Sequence, residues 1–164
     1  MMLRALELAQ AAAAIGEVPV GAVVYRTATG EILAEAGNTR ETDRDPAGHA
    51  EFTAIMRACR AIGDWRLNDC TLCVTLEPCP MCAGLIVNAR IGRVVFAARD
   101  TKAGACVSLY ELTTDDRLNH RVELIEGVRA EESRELLQAF FRELRSARKG
   151  RLQDRPEEHN EERG

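Results

Sequence analysis

Helical and extended patterns alternate along the chain, and this alternation restricts the possible folds more than any other feature of the sequence. Apolar residues recur at helical spacing in four segments, and short runs rich in Val, Ile and Leu separate them. In order, the sequence predicts a helix, a β-hairpin, a helix, a strand, a helix, a strand, a short strand and a final helix. This order predicts an α/β fold, a three-layer α-β-α sandwich around a mixed five-stranded sheet.

The predicted elements have approximate bounds. The helices are expected near 3–15, 49–62, 79–89 and 131–148, and the strands near 18–25, 31–37, 71–76, 94–97 and 122–125. A polar loop, 38–48, joins the hairpin to the second helix, and loops held by a rigid scaffold often carry function. The 164 residues suit one domain. We expect it to cover 1–150, followed by a disordered acidic tail at 151–164.

Composition narrows the compartment and the partners. No apolar run reaches the roughly 18 residues of a membrane span, and Glu7 and Gln10 interrupt the first apolar stretch, so a cytoplasmic protein is expected. The net charge of −4 argues mildly against a nucleic-acid partner, although the net value can hide a local basic patch. Six cysteines in a chain without an export signal favour thiols or metal ligands over disulfides.

Two short motifs that each open a predicted helix form a candidate metal site. The first is His49-Ala50-Glu51, and the second, about thirty residues later, is Pro78-Cys79-Pro80-Met81-Cys82. At the start of a helix, two cysteines three residues apart can direct both sulfurs at one ion, and the positive end of the helix favours thiolates. With His49 as a third ligand, the set suits zinc.

The number of ligands and the nearby carboxylate favour a catalytic site. Three protein ligands leave the fourth position of zinc to water, and Glu51 could carry protons between that water and a substrate. A second pair, Cys70 and Cys73, lies in or beside a strand, where positions three apart face opposite sides, so the two cannot easily chelate together. We interpret Cys73 as a core residue, and Cys59 and Cys106 as packing residues.

The pair of motifs resembles the signature of the zinc-dependent nucleobase and nucleoside deaminases. Within that superfamily, the chain resembles the bacterial tRNA-specific adenosine deaminases most, which make inosine at the anticodon wobble position, 34. The narrower resemblance rests on longer stretches, which are 16–23, 45–51, 74–79, 91–96, 98–105 and 118–121. Two residues depart from the pattern: Gly48 stands where a small Ala is more usual, and Val107 stands where Gly is favoured.

The resemblance implies a cytidine-deaminase-like fold, one zinc ion per subunit, and a role for each matched residue. His49, Cys79 and Cys82 would bind the metal, and Glu51 would move the protons of hydrolytic deamination at C6 of adenine. Asn38 and the backbone amide of Ala50 would contact the base. The residues that would hold the anticodon loop are Asp100, Lys102, Asn119 and His120. It also implies a homodimer and an anticodon stem-loop substrate, with an arginine tRNA expected.

A local basic patch could supply the remaining RNA contacts. Arg142, Arg145, Arg148, Lys149 and Arg151 cluster near the end of the last helix, and Arg99 and Lys102 lie on the loop that follows a strand. Arginines at helical spacing are usually just a solvated face, so the family resemblance is what favours RNA contact here.

Other functions remain open from the sequence. The same zinc site could deaminate a free nucleobase or nucleoside, such as guanine, cytosine or cytidine, because the pocket selects the substrate. A dithiol redox protein could use Cys79 and Cys82, although that chemistry needs neither His49 nor Glu51. A zinc-stabilised binding module would need a fourth protein ligand, for which the sequence offers no good candidate.

Overall fold

The computed structural model describes residues 1–153 and confirms the predicted α/β sandwich. Five strands form one sheet in the order β2-β1-β3-β4-β5. The helices are α1 (Met2–Ala14), α2 (Ala50–Ile62), α3 (Pro80–Asn88) and α4 (Ala130–Gln153), and the strands are β1 (Gly21–Arg26), β2 (Ile32–Gly37), β3 (Cys70–Leu76), β4 (Arg93–Ala98) and β5 (Glu123–Glu126).

The sheet is mixed, as the alternating pattern predicts. β1 pairs antiparallel with both β2 and β3, while β3, β4 and β5 run parallel. The hairpin between β1 and β2 turns at Gly30, whose positive φ of 74° suits glycine. Because β1 runs opposite to β3 and β4, its first residue lies at the same edge of the sheet as their last residues. The end of β2 lies at that edge too.

Two separate hydrophobic clusters fill the spaces on the two faces of the sheet. One packs α2 and α3 against the sheet through residues such as Ile55 and Ile86, and the other packs α1 through Met2 and Leu6. Cys70 belongs to the first cluster and Cys73 to the second. The prediction that these two cysteines face opposite sides is therefore confirmed.

Two boundaries differ from the sequence expectation by three or more residues, and the others by one residue or none. β1 begins at Gly21 rather than near 18, because its pairing with β2 begins at Gly21 opposite Gly37, the last residue of β2. A β-carbon at Gly21 would collide with the backbone oxygen of Ala5, so α1 packs directly on the start of the strand. β3 begins one residue early, at Cys70. α4 continues to Gln153, beyond the expected end near 148 and into the first three residues of the predicted tail at 151–164; the rest of that tail, 154–164, lies outside the described residues. Within residues 1–153, no helix is long and apolar enough to cross a membrane.

Candidate active site

One edge of the sheet gathers every element that the motifs occupy. β3 ends at Leu76 and leads through Pro78 into α3, while β4 ends at Ala98 and leads into the 100–108 loop. The 38–48 loop leaves the end of β2 and enters α2 at the same edge. Ligands of α/β sheets commonly bind where parallel strands end. The topology thus brings the two motifs together although thirty residues separate them.

The three predicted metal ligands converge. His49 is the N-cap residue of α2, Cys79 is the N-cap of α3, and Cys82 lies in the first turn of α3. The Nδ1 atom of His49 lies 3.6 Å from the sulfur of Cys79 and 3.6 Å from the sulfur of Cys82. All three ligand atoms lie within 4.8 Å of one another. Residues near the starts of two helices thus form one cluster.

The spacing of these atoms fits zinc. A tetrahedral ion with Zn–S of about 2.3 Å and Zn–N of about 2.0 Å holds a sulfur and a nitrogen ligand about 3.5 Å apart. The observed separations of 3.6 Å match this value without rearrangement. Within the described part of the chain, the group consists of three residues, so it could hold zinc with one coordination position left for water.

The electrostatics of the two thiols also suit a metal. The hydrogen bond with Cys82 and the one with His49 lower the pKa of the Cys79 thiol to about 4. The same contact with Cys79, together with burial, raises the pKa of Cys82. One sulfur is thus stabilised as a thiolate at the expense of its neighbour. A divalent cation between them would favour the thiolate form of both.

Glu51 is buried beside this cluster. Glu51 is 4% exposed. Burial raises the pKa of its carboxyl to about 7, while the charge of His49 acts to lower this pKa. A carboxyl whose pKa is near neutrality can both accept and donate a proton at working pH. Glu51 therefore has the chemistry expected of a proton carrier.

A cavity of about 150 Å³ opens onto the cluster. This volume is far below the roughly 300–1,000 Å³ of sites that enclose a drug-sized ligand, so it suits one small flat group with the remainder of a substrate outside. Five of the predicted site residues line it, namely Asn38, His49, Glu51, Cys79 and Asp100. The lining residues that the sequence analysis did not single out are Val18, Val20, Arg40, Leu76, Glu77 and Ala103.

Three other predicted site residues lie apart from this cavity. Asn119 accepts a hydrogen bond from Arg90, at 2.8 Å, and His120 bonds the backbone oxygen of Ile91, at 2.7 Å. Arg90 and Ile91 follow the C-terminal end of α3, one helix length, or about 13 Å, from the end that carries Cys79 and Cys82. Lys102 lies beside a different depression, against α4.

Glu77 is a structurally important residue that the sequence analysis missed. Its carboxylate is 2% exposed and accepts backbone N–H groups of Asp100, Cys106, Val107 and Ser108, as well as the Ser108 hydroxyl. It therefore holds the 100–108 loop, which carries Asp100, against the start of α3. An acidic residue between Leu76 and Pro78, at the end of an apolar strand, was the available signal.

The two departures from the family pattern are accommodated. Val107 is absent from the residues with positive φ, and its N–H donates to Glu77 at 2.8 Å, so the position does not require glycine. A β-carbon on Gly48 would lie 3.0 Å from the backbone of Arg40. Alanine there would need a shift of a few tenths of an ångström, so Gly48 permits the close approach seen here.

Comparisons with known proteins find similar deaminases. The MafB19-like deaminase family matches residues 1–145. The chain is 49% identical, over 90% of its length and 91% of the relative, to the tRNA-specific adenosine deaminase of Bacillus subtilis. A solved structure from a study of A-to-I editing by tRNA A34 deaminases shares 39% identity at a TM-score of 0.79, covering 83% of this chain and 97% of the other. A Bacillus subtilis guanine deaminase shares 43% identity at a TM-score of 0.57, but over 61% of this chain and 63% of that one.

Proposed function

This chain belongs to the MafB19-like deaminase family, and we propose that it converts adenosine to inosine at the wobble position of a tRNA anticodon. The observation that most directly supports this reaction is the convergence of His49, Cys79 and Cys82 beside a buried Glu51, at a cavity whose volume suits one base. The solved structure from the study of tRNA A34 deaminases covers 83% of this chain at 39% identity and a TM-score of 0.79, whereas a Nitrosomonas europaea guanine deaminase covers 85% at only 23% identity and the Bacillus subtilis one covers 61% at a TM-score of 0.57. We infer a cytoplasmic site of action, where tRNA is modified.

The metal in this proposal is zinc, one ion per chain. The donor set of one imidazole and two thiolates, at separations of 3.6 Å, supports it. When bound, zinc would supply a water acidic enough to lose a proton near neutral pH. The test is metal analysis of purified protein. We expect about one zinc per chain, and less in His49→Ala and Cys79→Ser, whereas a metal-free active protein would contradict the assignment.

Glu51 would carry the protons of the reaction. Its carboxylate takes one proton of the attacking water and delivers it to N1 of adenine. It then takes the remaining proton from the new C6 hydroxyl and delivers it to the departing amine, so that the C6 carbonyl forms as the C–N bond breaks. Water and adenosine thus become inosine and ammonia, and Glu51 ends in its starting form. Burial against the ligand cluster keeps the carboxyl from exchanging protons freely with bulk water.

The base would be held by groups from three elements. Asn38 reaches the cavity from the end of β2, and Asp100 from the loop after β4. Ala50 is the first residue of α2, where the backbone N–H has no partner within the helix and can donate to a ligand. Arg40, on the cavity wall, would supply a positive charge for a phosphate of the bound RNA.

A second depression, of about 450 Å³, would take a neighbouring nucleotide. Lys102 on the active-site loop faces Phe141, Arg142 and Arg145 of α4 across it, and the ring of Phe141 is 39% exposed. Exposed aromatic rings stack on unpaired bases, and basic side chains contact phosphates. This local arrangement supplies the RNA-binding patch that a net charge of −4 otherwise disfavours.

Asn119 and His120 would act in a homodimer. Both lie beyond the C-terminal end of α3, too far from their own metal cluster to share its base. Exposed apolar side chains occur at both ends of that helix, including Met81 in its first turn and Leu118 beside Asn119. We infer that a second copy covers them and that Asn119 and His120 reach RNA bound to the partner. The test is mass by light scattering, where a monomer at working concentration would contradict this.

A comparison of substrates tests the proposed reaction. The protein is incubated with an arginine-tRNA anticodon stem-loop that carries adenosine at the wobble position, and separately with free adenosine, guanine and cytosine. We expect kcat/KM for the stem-loop to exceed each of the others by far. Ammonia released from free guanine or cytosine, with the stem-loop unchanged, would move the protein to the free-base deaminases.

A further inference from the structure

Glu17 is a buried carboxylate that no step of the proposed reaction uses. It lies between α1 and β1 and is 0% exposed. Its Oε1 accepts the backbone N–H of Thr42 at 2.6 Å, and its Oε2 accepts that of Glu41 at 3.2 Å and the side-chain amide of Asn38 at 3.0 Å. Burial acts to raise the pKa of Glu17, but these hydrogen bonds keep it below its ordinary value. The group is therefore an anion at neutral pH.

The contact with Asn38 determines which end of that amide faces Glu17. An ionised carboxylate only accepts hydrogen bonds, so the NH2 end of Asn38 must point toward it. The oxygen end, Oδ1, then points away. Asn38 lines the cavity. In residues 1–153, Thr113 Oγ1 is the side-chain atom that is fully buried without a hydrogen-bond partner. Asn38 Oδ1 is not such an atom, so it is not sealed off from the cavity. The cavity therefore meets Asn38 as a hydrogen-bond acceptor.

The same carboxylate also fixes the backbone that follows. Its bonds to Glu41 and Thr42 anchor the start of the 38–48 loop, and the backbone N–H of Asn38 donates to Val20 at 3.0 Å. Asn38 is thus held by its own backbone, by its side chain and by the two residues that follow Arg40. Such a rigid support is what a precise contact with a substrate needs.

From this geometry we propose that Glu17 is a positioning residue that sets the polarity of Asn38, so that the pocket offers an acceptor to an N–H or O–H group of the bound nucleotide. This inference rests on the proposed deaminase function and deepens it. Glu17 forms no hydrogen bond with the metal ligands or with Glu51, so its effect on the reaction passes through Asn38 or through the backbone of Glu41 and Thr42, and the Asn38→Ala background separates these two routes.

A double-mutant cycle tests this coupling. Glu17→Gln removes one acceptor oxygen at nearly constant shape, Asn38→Ala removes the amide, and both are compared with their double variant. We expect Glu17→Gln alone to lower kcat/KM for the stem-loop about 10- to 100-fold, at unchanged zinc content. In the Asn38→Ala background, the same change should cost less than about 2-fold, because the group that Glu17 orients is gone.

Controls separate positioning from a general loss of structure. Glu35→Gln alters a carboxylate of β2 that pairs with Arg4 of α1 and does not line the cavity, so it should leave kcat/KM unchanged. Should Glu17→Gln fail to fold, hydrogen exchange of the Asn38 side-chain amide in the unaltered protein gives an independent result. We expect exchange far slower than that of an exposed asparagine, and exchange at the exposed rate would overturn the proposal.

The outcomes also distinguish the two levels of the argument. Absence of inosine with the unaltered protein would contradict the proposed function. Slow hydrogen exchange of the Asn38 side-chain amide would still support its hydrogen bond to Glu17. Inosine from the unaltered protein, with losses in Glu17→Gln and Asn38→Ala that simply multiply, would overturn the positioning role alone. Wild-type kcat/KM in Glu17→Gln would do the same.

Discussion

Replacing Glu77 by glutamine should weaken the attachment of the 100–108 loop by an amount that the structure defines. The Oε1 atom of Glu77 accepts three backbone N–H groups, from Cys106 at 3.2 Å and from Val107 and Ser108 at 2.8 Å. The Oε2 atom accepts the N–H of Asp100 at 3.0 Å and the Ser108 hydroxyl. Glutamine has the same shape but offers one oxygen instead of two.

The lower-energy arrangement leaves one buried donor without a partner. Glutamine would place its oxygen where three N–H groups converge and its NH2 where Oε2 was. The Ser108 hydroxyl can rotate to accept a hydrogen bond from that NH2, but the backbone N–H of Asp100 is a donor only and would lose its acceptor. Because Glu77 is only 2% exposed, water has little access to replace that acceptor. An unsatisfied buried donor costs about 1–3 kcal/mol, so we expect the free energy of unfolding to fall by that amount.

Urea unfolding at pH 7, followed by circular dichroism at equal zinc occupancy, measures the change, since bound metal itself adds to stability. Glu31→Gln is the matched control, because the exposed pair of Glu31 with Arg26 should contribute at most about 1 kcal/mol. A loss below about 0.5 kcal/mol in Glu77→Gln would refute the reasoning. We also expect lower activity on the stem-loop, because the loop carries Asp100.

Three further predictions concern the pH dependence of Glu77, the proton carrier and metal ligand, and the start of β1. The pKa of Glu77 lies below its ordinary value of 4.5. The ionised carboxylate therefore contributes its full stability above pH 4.5, and this contribution is lost as the pH falls through the folded-state pKa. On acidification, the urea midpoint should thus fall less steeply in Glu77→Gln than in the unaltered protein. Glu51→Ala should retain zinc by metal analysis and lose kcat by about 100-fold or more, whereas His49→Ala should lose both; an active Glu51→Ala would exclude the proton-carrier role. Gly21→Ala should cost about 1–3 kcal/mol in urea unfolding, because its β-carbon would overlap the backbone oxygen of Ala5; an unchanged midpoint would contradict that packing.

The fold was predictable because local patterns and tertiary packing agree along this chain. The apolar stripe of α2 and the glycine at its end, Gly63, with a φ of 70°, gave both limits of that helix. The start of β1 was not predictable. Val18 and Val20 continue the apolar run of the strand, but they precede it and line the cavity. Nothing in a run of valines distinguishes these two positions.

The metal cluster was predictable for a different reason. Each half of it depends on a residue pattern at a helix start, so local spacing places the ligands, and the sheet brings the halves together. The roles of Glu17 and Glu77 were not predictable, because their partners are mainly backbone N–H groups of loops distant in sequence. The position of Asn119 beside Arg90 depends likewise on an irregular segment without periodicity.

The central claim is that this chain makes inosine at one position of an anticodon loop. The most direct test is incubation of the zinc-loaded protein with a stem-loop that carries adenosine at the wobble position and at other loop positions, followed by nuclease digestion and mass spectrometry of each fragment. The account predicts inosine at the wobble position, with the other adenosines intact. Unchanged adenosine at the wobble position, or inosine spread evenly over the loop, would contradict it.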